Sequence, residues 1–294
     1  MTEDDWLAER FQEHRPRLRG VAYRMLGSLA EADDAVQEAW LRASRAGAGG
    51  VENLGGWLTT VVARVCLNML RARRVRREEQ MGVRLPDPIV GPDTGEGPED
   101  EVVLADSVGL ALQVVLETLT PAERLAFVLH DLFAVPFEEI APMVDRSPEA
   151  ARQLASRARR RVHGVAPAPD ADRRQQRRVV DAFFAAARGG RLDELVALLH
   201  PDAVLRFDAG PARPEASTVV RGGALIASRA SGAARTDVQV RPALVNGAAG
   251  AIIVAEGRPV AVWGFAVVAG RIAEIDVVAD PGRLGQIDPA VVAG

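Results

Sequence analysis

PFEEIAPMVDRSPEAARQLASRARRRV, from Pro136 to Val162, is the stretch on which the reading of this chain turns. Phe137 to Val144 reads as a short helix, and Asp145–Arg146 as a tight connection. Ser147 then supplies a side-chain oxygen for an N-cap, and Pro148 suits the first helical turn. In the helix that follows, Ala151, Leu154, Ala155 and Ala158 recur at three- and four-residue spacing and form an inner face. Arg152, Gln153, Ser156, Arg157, Arg159, Arg160 and Arg161 fall outside it. Two helices joined this way, the second polar and basic, have the layout of a helix-turn-helix whose second helix enters the major groove. Ser147, Glu149, Arg152, Gln153, Ser156, Arg157 and Arg160 are the candidate DNA contacts. Those near the helix start should meet base edges, and the later arginines phosphates. A plain αα-hairpin with a basic surface would give a similar pattern.

A second basic segment lies upstream: WLTTVVARVCLNMLRARRVRR, Trp57 to Arg77. Its apolar residues serve a core, and Trp57 is expected among them. Arg64, Asn68 and Arg71 are spaced four and three apart and share one helix face. Arg71, Arg73, Arg74, Arg76 and Arg77 finish the helix. The planar guanidinium fork suits phosphate oxygens. A solvated helix end whose cations complement the helix dipole is the alternative.

An acidic helix precedes that segment. Phe11, Leu18, Val21, Ala22, Met25 and Leu26 mark a first helix, broken at Gly27. Ser28 then caps a second, with Glu31 three residues on as a capping box. It runs to about Ser44 and carries Glu31, Asp33, Asp34 and Glu38, with Trp40 and Leu41 expected to pack inward. Such a surface repels DNA phosphates and suits a protein partner.

The remainder divides the chain. Residues 82–100 hold four prolines and four glycines and read as a linker. Residues 101–164 are helical, with Thr120 as N-cap, Pro121 at the first position and Glu123 at the third. A second linker spans 165–172. From 173 the pattern changes to two helices, about 174–188 and 191–199. Strand-like runs follow at 203–207, 217–220, 237–245, 250–256, 259–268 and 271–279, an α+β arrangement.

The chain has 294 residues, a net charge of -4 and 36 basic residues, all arginine. Its single cysteine, Cys66, excludes an internal disulfide and a cysteine-based metal site. The start lacks the basic and apolar regions of a signal peptide, and no apolar run reaches the roughly 18 residues a bilayer span needs. A cytoplasmic protein without membrane contact is expected.

GSLAEADDAVQEAWLRA, the arginine segments and the linker between them together resemble bacterial sigma factors of the extracytoplasmic-function type, which keep only sigma regions two and four. The resemblance implies a region-two helical bundle over 1–81 and a region-four helix-turn-helix over 101–164. It implies that Asp33, Asp34, Gln37 and Glu38 bind the clamp of the largest RNA polymerase subunit. Region four would touch the flap of the second subunit. Asn53 to Gly56 match the loop that captures a flipped promoter base. Asn53, Trp57, Arg64, Asn68, Arg71, Arg73 and Arg74 would serve the minus-ten element, and region four the minus-thirty-five element.

Residues 173–294 resemble a SnoaL-like (NTF2-like) cone, as in the actinobacterial J-type group of these factors. The group's linker motif corresponds to Arg84-Leu85-Pro86-Asp87-Pro88, and its glycine loop to Asp208-Ala209-Gly210-Pro211. Its C-terminal motif corresponds to Asp280-Pro281-Gly282-Arg283-Leu284. Every one of these is altered, the glycine loop most. In that group the cone regulates the sigma regions by intramolecular contact. No cofactor, metal or catalytic residue is expected. His200 at a helix–strand corner reads as structural, and Asp208, Glu274 and Asp276 show no acid–base spacing. The alternative is a DNA-binding regulator whose cone is a small-molecule sensor or cyclase-like enzyme.

Overall fold

A computed structural model describes residues 3–47, 51–77, 83–93, 110–165, 170, 172–232 and 238–293. Its contacts divide the chain into two compact units. One is Met1–Gln80 with Val115–Val165, the other Met81–Val114 with Ala166–Gly294.

The first unit is helical. α1 (Glu3–Leu26) buries Leu7, Phe11, Leu18, Val21, Ala22, Met25 and Leu26 along one stripe, as the spacing requires. Gly27, at φ 72°, closes it with an N–H to the Tyr23 carbonyl at 2.8 Å. α2 (Leu29–Ala46) starts at Ser28, whose hydroxyl accepts from the Glu31 amide at 3.5 Å. The Glu31 carboxylate does not return to the cap as a capping box would have it. It pairs with Arg73, because a guanidinium offers more than one backbone amide does. α3 (Leu54–Arg77) follows, with Leu58, Val62, Cys66 and Leu67 buried. Burial pushes the Cys66 thiol up to about 12, so it stays protonated and inert.

α4 (Leu110–Glu117), whose residues 110–114 belong to the second unit, leads to α5 (Pro121–Phe127), where both halves of the Thr120–Glu123 capping box form. A π-helical turn (Val128–Leu132), α6 (Phe137–Ile140), a 3-10 turn (Ala141–Met143) and α7 (Pro148–Val165) complete the unit. Asp145, at φ 55°, makes the tight connection before α7. Arg124 of α5 is buried and donates to the Arg24 carbonyl of α1 at 3.0 Å.

The second unit is a sheet of seven described strands between two apolar layers, ordered β1-β4-β5-β6-β7-β2-β3. These are β1 (Val90–Gly91), β2 (Leu199–Asp208), β3 (Thr218–Arg221), β4 (Gln239–Val245), β5 (Ala248–Ala255), β6 (Arg258–Val268) and β7 (Arg271–Val278). Helices α8 (Arg173–Arg188), α9 (Leu192–Leu198) and α10 (Gly223–Gly232) cover one face. There Phe183, Phe184, Trp263 and Phe265 pack edge-to-face and tilted around Ile275 and Val277. The opposite face is covered by Val90, Leu110 and the C-terminal segment of α11 (Pro281–Leu284) and α12 (Pro289–Ala293).

Two expectations change here. β2 begins at Leu199 rather than 203, so His200 lies in a strand, where its Nδ1 accepts from the Asp202 amide at 3.2 Å. Residues 82–100 are not a structureless linker throughout, because Leu85 to Val90 are buried and β1 pairs antiparallel with β4. The chain after α7 is likewise anchored at Asp170. Its carboxylate accepts from the amides of Ala269 and Gly270 at 2.8 and 2.9 Å, in the positive-φ turn between β6 and β7.

Candidate functional site

On α2, packing sorts the acidic residues. Ala32, Ala35, Val36, Ala39 and Ala43 face the core. Asp33 is held in a forked pair by Arg19 at 2.8 and 3.2 Å, and Glu31 is taken by Arg73. Glu38 pairs with Arg42 at 2.8 Å, both still half exposed. Asp34 and Gln37 point outward without an ion pair among the described residues. Leu41, expected inside, is 41% exposed on the same stripe. Trp40 is half-buried against Phe11, with ring centroids 5.0 Å apart. The reason is angular. Leu41 lies seven residues, close to two full turns, after Asp34, and so shares its face. The outward surface of α2 is therefore Asp34, Gln37, Glu38 and Leu41, with Asp33 at its margin and engaged in structure.

On α3, Arg64, Asn68 and Arg71 are exposed along one face, as spaced. Arg73 is not with them. Its side chain is 14% exposed, pairs with Glu31 and donates to the Leu26 carbonyl at 3.1 Å. Asn53 is exposed but spends its side-chain oxygen capping α3 at the Gly56 amide, 2.9 Å. Trp57 is half-buried rather than a core residue. The side chain of Arg74 lies outside the described residues.

On α7 the sorting is cleaner. Ala151, Ala155 and Ala158 have no exposed surface, and Leu154 is half-buried. Glu149, Arg152, Gln153, Ser156, Arg157 and Arg160 are all exposed. Ser147 caps the helix through the Ala150 amide at 3.3 Å. The helix's backbone amide and Ser147 hold the Glu149 carboxyl below its ordinary range. Arg152 lies over the buried Phe137 ring, 5.2 Å from its centroid, which sets its direction without using its donors. Arg159 and Arg161 are drawn back to Asp131 and Glu123. Arg157 and Arg160 make no ion pair among the described residues and flank Glu123 and Arg161 in one shallow depression.

In the second unit, Leu85 meets Asp208 directly, and Leu85, Pro86 and Asp87 meet Arg283, which also holds Asp208. The Asp208 carboxylate, 3% exposed, accepts from the Leu85 amide at 2.8 Å and from Arg283 at 2.8 Å. Arg283 also pairs with Asp87 at 2.7 Å and donates to the carbonyls of Leu85 (2.9 Å) and Pro86. Gly210, at φ 81°, donates to Asp208 at 2.9 Å, and a Cβ there would stand 2.5 Å from Asp280 Cγ. So this glycine is fixed by backbone and by space, even though the loop around it is altered. Asn246 continues the seam, accepting from the Ile89 amide at 3.1 Å. Arg283 and Asn246 were not among the expected site residues. Arg283 sits in the Asp280–Leu284 motif, which was a signal. Asn246 carried none.

Glu274 and Asp276 face away from the aromatic layer, since β7 alternates and Ile275 and Val277 take that side. Both pair with Arg206 of β2, at 2.9 and 3.0 Å. Burial pushes the Asp276 carboxyl up to about 6, against the pull of Arg206 and with a push from Glu274. No group of three or more metal-type ligands exists among the described residues, and none of their helices is long and apolar enough to cross a membrane.

Comparison with known proteins finds the same parts. Residues 10–76 match the family model for sigma-70 region 2, and residues 109–162 that for sigma-70 region 4. The chain is 44% identical over 216 residues to the ECF RNA polymerase sigma factor SigJ of Mycobacterium tuberculosis, over 72% of this chain and 68% of that one. It is 36% identical to the probable ECF RNA polymerase sigma factor SigI of the same species, over 71% and 72%. The crystal structure of the M. tuberculosis extracytoplasmic function sigma factor SigJ matches with a TM-score of 0.71 at 34% identity, covering 95% of this chain and 98% of that one.

Proposed function

The chain belongs to the extracytoplasmic-function sigma factors of the sigma-70 family, and from that premise we propose how its surfaces divide the work of directing core RNA polymerase to promoters. The α2 face of Asp34, Gln37, Glu38 and Leu41 docks on the clamp of the polymerase's largest subunit. Its free carboxylate speeds encounter and excludes DNA. The α3 face of Arg64, Asn68 and Arg71 meets the minus-ten element. The start of α7 reads minus-thirty-five base edges through Glu149, Arg152, Gln153 and Ser156, with Arg157 and Arg160 on phosphates. Region four touches the flap of the second large subunit. The observation that carries this reading is the sorting of charge. Asp34 and Gln37 on α2, Arg64, Asn68 and Arg71 on α3, and Arg152, Gln153, Ser156, Arg157 and Arg160 on α7 are outward and without ion pairs among the described residues, while Asp33 and Arg73 among the expected contacts, and Glu31, Arg159 and Arg161 beside them, are tied into the fold.

The C-terminal domain acts as a regulator, not an enzyme. Its helix-covered face is lined by the apolar Leu205, Phe207, Trp263, Phe265, Ile275 and Val277, while Glu274 and Asp276 of β7 lie on the other side, paired with Arg206. Its other face holds the linker through Asp208 and Arg283, and a held linker restricts the chain between the two DNA-reading modules. The test is run-off transcription with core polymerase and the full chain. Promoter-specific initiation is expected from the wild type. Arg283→Ala, which removes the cation shared by Asp87 and Asp208, should loosen Leu85–Val90 to protease and change promoter output several-fold. A loosened linker with unchanged output would contradict the regulatory role. Absence of chain-dependent initiation would contradict the surface assignments.

A further inference from the structure

α8 carries four arginines in its first two turns, Arg173, Arg174, Arg177 and Arg178, and no acidic residue in its first turn. Arg177 is committed. It donates to the carbonyls of Gly250 (2.9 Å) and Ala243 (2.8 Å) and pairs with Asp93. Arg173, Arg174 and Arg178 are exposed and make no ion pair among the described residues. Arg174 and Arg178 stand one turn apart on a single face, about 6 Å along the axis, with Arg173 flanking. The backbone amides at this end are already capped by Asp172, which accepts from Arg174 and Gln175, so the free donors are the guanidinium groups themselves.

These cations are in the wrong place for stability. The start of a helix is its positive end, and arginines there oppose the dipole. The outward face further along is small and nearly neutral, with Ala182, Ala185 and Asp181. A purely solvated face gains nothing from three like charges at that end. Nor does arginine rather than lysine signify, because the chain has no lysine at all. What signifies is position in the chain. α8 begins eight residues after α7 ends. The arginines follow directly on the helix assigned to the major groove.

We propose that Arg173, Arg174 and Arg178 form a second, sequence-independent contact with the phosphates of duplex DNA, in addition to the contact made by α7. The inference rests on the reading of α7 as the DNA-reading helix. It gives the C-terminal domain a direct part in promoter binding, in addition to its hold on the linker. Each arginine that replaces condensed counterions on DNA adds to the salt dependence of binding.

The experiment measures promoter binding by the full chain bound to core polymerase, across a range of salt concentrations. The triple variant Arg173→Ala, Arg174→Ala, Arg178→Ala should flatten the slope of log K against log salt by about 2–3 and weaken binding about tenfold near 0.1 M salt. Its affinity for core polymerase and its melting temperature should not fall, since removing cations from the positive end of a helix favours it. The corresponding triple lysine variant, which keeps the charges, should retain the slope to within about 1. Arg157→Ala on α7 separates the two readings. If Arg157→Ala weakens binding while the triple alanine variant leaves slope and affinity unchanged, the α8 contact is overturned and α7 stands. If neither variant has an effect, the α7 reading falls and the α8 contact with it. If the triple variant loses affinity for core polymerase and keeps its salt slope, the surface docks an acidic protein face and the DNA contact is overturned.

Discussion

Arg71 and Arg73 stand two residues apart on α3 and are put to opposite uses. Arg71 faces solvent, while Arg73 is bonded to Glu31 and to the Leu26 carbonyl. Arg71→Ala should leave stability within about 0.5 kcal/mol of the wild type, as surface changes do. It should weaken promoter binding and flatten its salt slope by about 1. Arg73→Ala should cost about 1–3 kcal/mol in urea denaturation of the full chain, because Glu31 loses a partly buried partner. The sequence marks this segment as basic and shows which arginines share a face. Whether one of them turns inward depends on where Glu31 and a helix end sit in three dimensions, and no local pattern carries that. Leu41 is the reverse case, apolar and expected inward yet 41% exposed, whereas its neighbour Trp40 does pack inward on Phe11. Asp276 adds a pH dependence. Its carboxyl is raised in the folded state from the ordinary 3.8 to about 6, so the folded protein binds this proton more tightly than the unfolded chain. The stability it contributes is full below about pH 4 and is lost as pH rises through about 6, for a total on the order of 2–3 kcal/mol. Asp276→Asn should therefore melt higher than the wild type at pH 7.5, and the gap should close by pH 4. A gap that does not change between those pH values would show that burial of the charge is not the cause.

At the scale of elements, most helices and strands could be read from spacing and punctuation. The Thr120 cap, the Ser147–Pro148 start of α7 and the alternating strands of the sheet follow local rules that tertiary contacts do not override. β1 could not be read. It is two residues long between prolines and glycines, and only the open edge of β4 makes it a strand. Asp170 also escaped notice, because its partners are backbone amides about a hundred residues away. The connection into α7 was expected to be tight, and Asp145 achieves it at φ 55°. Aspartate tolerates that region better than branched residues do. Asp145→Gly should leave stability unchanged or slightly raised. Asp145→Val should lower it by about 1–2 kcal/mol in urea denaturation, with loss of promoter binding as α7 shifts. Equal stability of the two variants would show that the turn is not what fixes α7.

Across the whole molecule, arginine is the sole basic residue type apart from histidine. A chain whose cations are all arginine divides them between structure and recognition. Arg19, Arg73, Arg124, Arg177, Arg206 and Arg283 hold elements together through carboxylates and carbonyls. Arg64, Arg71, Arg157 and Arg160 are left outward. The acidic helix α2 is divided the same way, and Asp34, its one carboxylate without an ion pair among the described residues, gives the direct test of whether polymerase and DNA are held by separate faces. The measurement is binding of the Asp34→Arg variant to core polymerase, with run-off transcription from a promoter the wild type uses. Asp33 is left in place because Arg19 depends on it. An unchanged melting temperature, at least tenfold weaker binding to core polymerase and loss of promoter-specific transcripts are expected. A folded Asp34→Arg protein that binds core polymerase and initiates like the wild type would contradict that separation.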